Sequence, residues 1–470
     1  MNKKFHHYFL AISLVTSLFA CQSPKKNEEI QKPFYAPEWS KNAVIYEVNV
    51  RQHSKDGSFN SVTQDIPRIK NLGADILWLM PIHPIGKKNR KGGLGSYYSV
   101  QDYKGINPEY GNLDDFKKLV KTAHDNGMKV IIDWVANHTS WDNQWIIDHP
   151  EWYAKDTAGN IVTPWDWTDV AKLNFENKEL RKAMIESMEY WIKEADIDGF
   201  RCDVAFMVPA DFWKEARAEL EKTKPVFMLA EMEAQTEISK DFKAYYENAF
   251  NANYAWAFHG TAHEVAKGKK SGADFMKYLD ENYKQIPQDV YKMHFITNHD
   301  ENTWNGTIDE KFGNQWKKWS MLCYTLPQSL PLIYSGQEAN NTKRLEFFEK
   351  DPIVWGDTSQ YAWYRKMNHI KHSYSALDNG SWGAKTNWLK LPQELENKII
   401  AFERINKDGN GVLVLANLTN EKIDCTNLIA PNSSFTKQVL VSENVDFAKT
   451  QSVPAILKDA TSFVVIEIQK

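Results

Sequence analysis

Four hydrophobic runs that read as β-strands each end on acidic residues: KVIIDWVANH (Lys129 to His138), GFRCDVA (Gly199 to Ala205), VFMLAE (Val226 to Glu231) and HFITNHDE (His294 to Glu301). Chance rarely sets carboxylates at four successive strand tips. Parallel strands that deliver polar residues from one end describe a (β/α)8 TIM barrel, whose active sites gather on the C-terminal face. The GFRCDVA run is the most specific of the four. Arg201 and Asp203 are two residues apart, so on a strand they share a face. The adjacent guanidinium is expected to lower the Asp203 pKa and keep the carboxylate ionised, and an ionised carboxylate can attack carbon. The other reading is a buried Arg-Asp pair that only ties a strand to its neighbour.

Eight runs have the character of buried parallel strands: Val44 to Val50, Ile76 to Met80, Lys129 to Ile132, Asp198 to Cys202, Val226 to Ala230, Asn253 to Ala257, Met293 to Thr297 and Leu332 to Ser335. Amphipathic stretches such as Lys178 to Ala195 and Pro209 to Glu221 separate most of them, and the proline of the second suits a first helical turn. Alternating β and α elements point to a parallel sheet. Between the third strand and its helix, about Thr139 to Asn177 is too long for an ordinary connection and reads as an inserted subdomain. After Leu377 short alternating runs, IIAFERI, GVLVLANL and SFVVIEI, indicate an antiparallel β domain. The expected division is a catalytic barrel over 41–138 and 178–377, an inserted subdomain over 139–177, and a β-sandwich over 378–470.

A net charge of −4 leaves no basic excess for a nucleic-acid backbone, so nucleic acid is not an expected partner. Many of the 18 tryptophans sit in polar surroundings, as in TSWDNQW (Thr139 to Trp145) and TPWDWTD (Thr163 to Asp169). Loop tryptophans of this kind suit sugar rings, which offer apolar C–H faces and polar edges; a tryptophan in a core is the plainer alternative. Cys202, Cys323 and Cys425 have no paired spacing, so neither a disulfide framework nor a zinc site is implied. Cys202 faces away from Arg201 and Asp203, toward a core.

The first residues have the form of an export signal: Lys3 and Lys4, an apolar stretch from Tyr8 to Ala20, then LFAC ending at Cys21. The stretch is too short to span a bilayer. Leucine at −3 and alanine at −1 match a bacterial lipoprotein cleavage box, although Phe19 is bulky for −2. The expectation is a signal over 1–21, a lipid on Cys21, and a linker over 22–40 to a membrane-anchored, exported protein; an ordinary secretory signal cut nearby is the alternative.

From about Asn42 onward the chain resembles the α-amylase family of glycoside hydrolases, family 13. Its four short motifs match DWVANH, GFRCDVA, the strand end at Glu231 and FITNHD, in order. The resemblance implies Asp203 as nucleophile, Glu231 as general acid/base and Asp300 as the carboxylate that distorts and holds the sugar. It implies that His138 and His299 hydrogen-bond sugar hydroxyls, that Tyr98 stacks beneath the cleaved sugar with Asp102 as its companion, and that no cofactor is needed for the chemistry. Retaining cleavage fits these roles: one carboxylate ionised, one carboxyl protonated, about 5 to 5.5 Å apart. Burial behind Val226 to Ala230 would help Glu231 hold its proton.

Asn137 matches a calcium-ligand asparagine of the family, with Asp166 or Asp169 as further oxygen donors; a loop-capping asparagine is the alternative, and RQHSKDGSFN (Arg51 to Asn60) lacks the family's other common calcium loop. Phe206 and Met207 stand where many α-amylases have Lys-His. Lys172 in AKLN resembles the form found in cyclomaltodextrinases and neopullulanases, although no N-terminal β domain fits before Asn42. The implied substrate is an α-1,4-glucan or maltooligosaccharide, with maltooligosaccharides or cyclodextrins preferred to starch. Transglycosylation through the same intermediate is the alternative activity; a non-catalytic glycan binder is disfavoured by the full set of carboxylates.

Overall fold

The computed structural model describes residues 36–233, 242–426, 428, 438–447 and 454–469. The signal, Cys21 and most of the linker lie outside the described residues. Among the described residues ten strands precede the last domain: β1 (Ile45–Val48), β2 (Ile76–Leu79), β3 (Lys129–Trp134), β4 (His138–Ser140), β5 (Val170–Lys172), β6 (Gly199–Cys202), β7 (Phe227–Ala230), β8 (Ala252–Tyr254), β9 (Tyr291–His294) and β10 (Ser329–Tyr334). Eight of these pair in parallel into a closed barrel, in the order β1-β10-β9-β8-β7-β6-β3-β2. Both faces of a barrel strand are covered, one by the lumen and one by helices. That is why the runs read as continuous apolar stretches rather than alternating ones.

The lumen is filled by Ile45, Trp78, Ile131, Leu229, Met293 and Leu332, while Tyr46, Leu77, Ile132, Phe200 and Met228 face the outer helices. Cys202 belongs to the outer layer, as its parity with Arg201 requires. Gly199 is fixed by contact: a Cβ there would stand 1.9 Å from the Phe227 carbonyl oxygen, so only glycine lets β6 and β7 approach.

Helix Lys178–Ala195 has the expected bounds; the Asn177 side chain caps it, and Leu180, Met184, Met188 and Trp191 form its buried stripe. The next helix, Ala210–Leu220, begins one residue after Pro209, which is the N-cap rather than part of the first turn. Other bounds also move. Val50 opens a short helix instead of extending β1, the sixth and seventh strands end earlier than expected, and the eighth starts three residues earlier, at Ser329. The polar residues after β9 therefore lie in a loop, beyond the strand itself.

The insertion after β3 is built on β4 paired antiparallel with β5, with His138 opposite Lys172. At the C-terminal end, β11 (Thr386–Trp388), β12 (Ile399–Ile405), β13 (Gly411–Asn417), β14 (Ile423–Asp424), β15 (Val439–Glu443), β16 (Val445–Phe447), β17 (Pro454–Leu457) and β18 (Phe463–Ile468) form a five-stranded sheet, β11-β12-β13-β18-β15, and a three-stranded sheet, β14-β17-β16. Ile399, Leu413, Leu415, Ile423, Leu457 and Ile466 make one core shared by the two sheets. The other face of the larger sheet, through Phe402, Val414 and Phe463, joins the core of the barrel helices. Two buried cations fasten this seam to carbonyl oxygens. Arg404 donates to Ala384, Leu326 and Asp378, and Lys318 to Asn417 and Ala460. Burial outweighs the opposing pull of Tyr283 and Asp378 on Arg404 and of Asp459 on Lys318, and lowers their pKa values to about 10 and about 7.

Candidate active site

Arg201 projects inward from β6 and organises the C-terminal mouth of the barrel. Its Nη1 donates to Asp133 and to Asp203, each at 2.8 Å, its Nη2 lies 2.9 Å from Glu231, and its Nε donates to Tyr254 at 3.0 Å. The guanidinium lies near the rings of Trp78, Tyr98 and Tyr254, with its carbon 5.3, 5.7 and 5.4 Å from their centroids. Asp203 and Glu231 are thus held on the two terminal nitrogens of one rigid fork. That arrangement is consistent with the narrow carboxylate spacing, about 5 to 5.5 Å, of retaining cleavage.

A second chain of hydrogen bonds reaches Asp133 from the opposite side. The Tyr98 hydroxyl donates to Asp133 at 3.1 Å and accepts from His299 Nε2 at 2.8 Å, while His299 Nδ1 lies 2.5 Å from Glu47 and Nε2 3.3 Å from Asp300. Burial works against a charge on His299, yet Asp300 and Glu47 raise it to about 9. His299 is therefore an imidazolium at neutral pH, which fixes the direction of these bonds. A raised folded pKa stabilises the protein fully below the unfolded value of about 6.5, and the contribution disappears as pH rises through about 9. The stability gap between wild type and His299→Gln should accordingly narrow from pH 6 to 10 in thermal scans; a constant gap would exclude a charged His299.

His138 behaves oppositely. Burial lowers it to about 4, so it is neutral, and its Nε2 donates to the Tyr98 carbonyl at 3.2 Å while Nδ1 accepts from the Asn137 side-chain amide at 3.1 Å. The Asn137 amide nitrogen is thus turned to His138. Asp169 pairs with Lys91 at 3.2 Å. Among the described residues no group of three or more His, Cys, Asp or Glu side chains is placed to hold a metal ion. The bond from Asn137 fixes the tautomer of His138.

The electrostatics also correct the expectation for Asp203. Burial raises its pKa more than Arg201 lowers it, and Asp300 pushes the same way, because one guanidinium is shared among several acids. Burial raises Glu231 and Asp300 as well. For Glu231 this is the required direction, since an acid must still carry its proton near neutrality. Asp203 contributes to that upward shift. Once a sugar is bonded to Asp203 its charge is gone and Glu231 becomes more acidic, as a residue that next acts as a base requires.

Glu231 also accepts a 2.7 Å bond from the backbone N–H of Val204. Val204 has φ 37° and ψ 47°, left-handed for a β-branched residue, so strain is spent on aiming that N–H. Sequence reasoning missed Val204, and it missed Glu47, which lies in an apolar strand run with no signal of its own. Asp133 was visible inside DWVANH but had no assigned part. Asp102, expected as the structural companion of Tyr98, accepts from the Lys104 N–H at 2.8 Å.

Asp203, Val204, Glu231, His299 and Asp300 line a cavity of about 450 Å³, walled by Tyr98, His138, Trp167, Trp304, Phe347 and Phe348. Trp165 and Trp304 remain 53% and 52% exposed, and so offer faces on which a sugar ring can stack. Trp165 packs against Trp167 at 4.8 Å and Phe206 at 6.2 Å, and Trp304 against Phe347 at 5.1 Å.

The α-amylase catalytic-domain model matches residues 45–168 and 150–397. The chain belongs to the α-amylase family. Asp203, Glu231 and Asp300, which the family resemblance assigns as nucleophile, acid and third carboxylate, all line this cavity. α-Amylase MalA of Haloarcula japonica is 25% identical over 82% of the chain, and the match spans 57% of that relative. α-Amylase 3 of Dictyoglomus thermophilum is 29% identical over 80% of the chain and 76% of its own length. A crystal structure of an α-amylase from Lactobacillus plantarum superposes with a TM-score of 0.76 at 32% identity, covering 91% of this chain and 99% of that one. Family members are glycoside hydrolases whose chemistry needs no cofactor.

Proposed function

We propose that the protein hydrolyses α-1,4-glucosidic bonds of maltooligosaccharides and related α-glucans with retention of configuration. One observation carries this reading: a single guanidinium holds Asp203 and Glu231 side by side at an aromatic-walled cavity, with Asp300 and the His299 imidazolium beside them. Asp203 attacks the anomeric carbon while Glu231 protonates the departing oxygen. Water activated by Glu231 then releases the sugar from Asp203. Transfer to a sugar hydroxyl shares the first step, so product analysis on maltoheptaose separates the two outcomes. Shorter products alone mean hydrolysis; products longer than the substrate mean transfer.

Phe206 and Met207 give the leaving-group side an apolar character, and Lys172 sits in the small insertion. Catalytic efficiency is therefore expected to be higher on maltopentaose than on amylose or soluble starch. A clear preference for amylose would overturn this specificity and leave the chemistry intact.

We further propose that the protein is exported and anchored in a membrane by a lipid on Cys21, on the strength of Lys3, Lys4, the Tyr8 to Ala20 run and LFAC. Among the described residues no helix is long and apolar enough to cross a membrane. In detergent phase partitioning the full chain should enter the detergent phase and Cys21→Ser the aqueous phase. Identical partitioning of the two would refute the anchor.

A further inference from the structure

Three chain segments meet on the Tyr98 side of the cavity. The loop after β2 reaches it through Lys91, whose Nζ lies 3.2 Å from Asp169 of the insertion. The same loop is bonded to a segment after β10: Leu94 N–H donates to the Phe348 carbonyl at 2.9 Å, and Gly93 N–H to the Glu349 carboxylate at 2.5 Å. Buried Arg51 holds both from below, donating to the Gly95 carbonyl at 3.0 Å and the Phe347 carbonyl at 3.4 Å. Gly92 has φ +64°, and a Cβ there would stand 2.3 Å from Phe348 Cβ, so the KGGLG sequence is what allows the two loops to abut. Phe347 lies parallel to Tyr98 at 6.3 Å, and Trp304 continues the wall at 5.1 Å from Phe347.

The acid fixes the polarity of the substrate. Glu231 must face the glycosidic oxygen, so the leaving group lies on its side, with Val204 and Phe206. The glycone then lies on the opposite side, over Tyr98, where the stitched segments stand. From this juxtaposition we propose that the rim formed by Lys91, Asp169, Phe347 and Phe348 closes the glycone end of the cavity, so that the enzyme takes α-glucans by their non-reducing ends and does not cut within a chain. The proposal rests on the hydrolytic reading given above. An exposed lysine in an ion pair contributes little by itself, so the backbone bonds and the glycine contacts supply the rigidity of the rim. Substrates without a free non-reducing end, cyclodextrins included, then fit poorly, which narrows the preference expected from Lys172.

The test compares an aryl maltoheptaoside with the same compound carrying a 4,6-O-acetal on its non-reducing sugar, adds β-cyclodextrin as a substrate with no end, and follows cleavage by chromatographic separation of the products. Wild type should cleave the free compound and cleave the blocked one and β-cyclodextrin at least about tenfold more slowly, a factor equivalent to about 1.4 kcal/mol. Lys91→Ala and Phe348→Ala should each raise the blocked-to-free ratio. Equal cleavage of blocked and free compounds by wild type would overturn the closed end while upholding the hydrolase. Failure to cleave even the free compound would instead strike at the hydrolytic reading. A low wild-type ratio that neither variant raises, with both variants folded by circular dichroism, would remove the rim as its cause.

Discussion

Asp203→Asn should lower kcat by roughly 10⁴-fold or more, the scale on which a covalent nucleophile is lost, with the fold and ground-state binding largely retained. The structure explains why the loss should be chemical rather than structural. Asp203 gives Arg201 only one of its partners, at 2.8 Å, and Asp133 and Glu231 continue to neutralise the guanidinium after the change. Asparagine keeps the shape and one acceptor oxygen. The check is steady-state kinetics on maltopentaose beside calorimetric binding of the same sugar and a thermal scan. Turnover above about one part in a hundred, with contaminating wild type excluded, would remove Asp203 from the role. Because the Asp203 charge holds the Glu231 pKa up, the variant should also make Glu231 more acidic.

Glu231→Gln should split substrates by leaving group. Maltooligosaccharides, whose departing alkoxide needs a proton, should lose about 10² to 10⁴ in kcat/KM, whereas aryl glycosides with acidic phenols should lose far less in the bond-breaking step. Glutamine can keep the bond from the Val204 N–H and its place near Arg201 Nη2, because the same carboxylate oxygen serves both. Comparison of a nitrophenyl maltoside with maltopentaose under identical conditions decides it. Equal losses on the two would contradict an acid at Glu231.

The sequence by itself determined the barrel and its principal acids. Strand parity sent Arg201 inward and Cys202 outward, and strand-end chemistry put Asp203 and Glu231 directly after β6 and β7. These are local properties, written in spacing and hydrophobic runs. The tertiary structure decided everything that depends on sums over distant neighbours. The Asp203 pKa rises although Arg201 is adjacent, because burial and Asp300 outweigh one shared guanidinium. Asn137 serves His138 because the fold turns its amide there. Glu47 joins Asp300 in charging His299 from 252 positions away in the chain, a pairing no window of sequence contains. The rim that joins Lys91, Asp169 and Phe348 is of the same kind, since three connections distant in sequence meet only when the barrel closes. Periodicity fixes which way a side chain points; long-range packing and low dielectric fix what it meets and which charge it carries there.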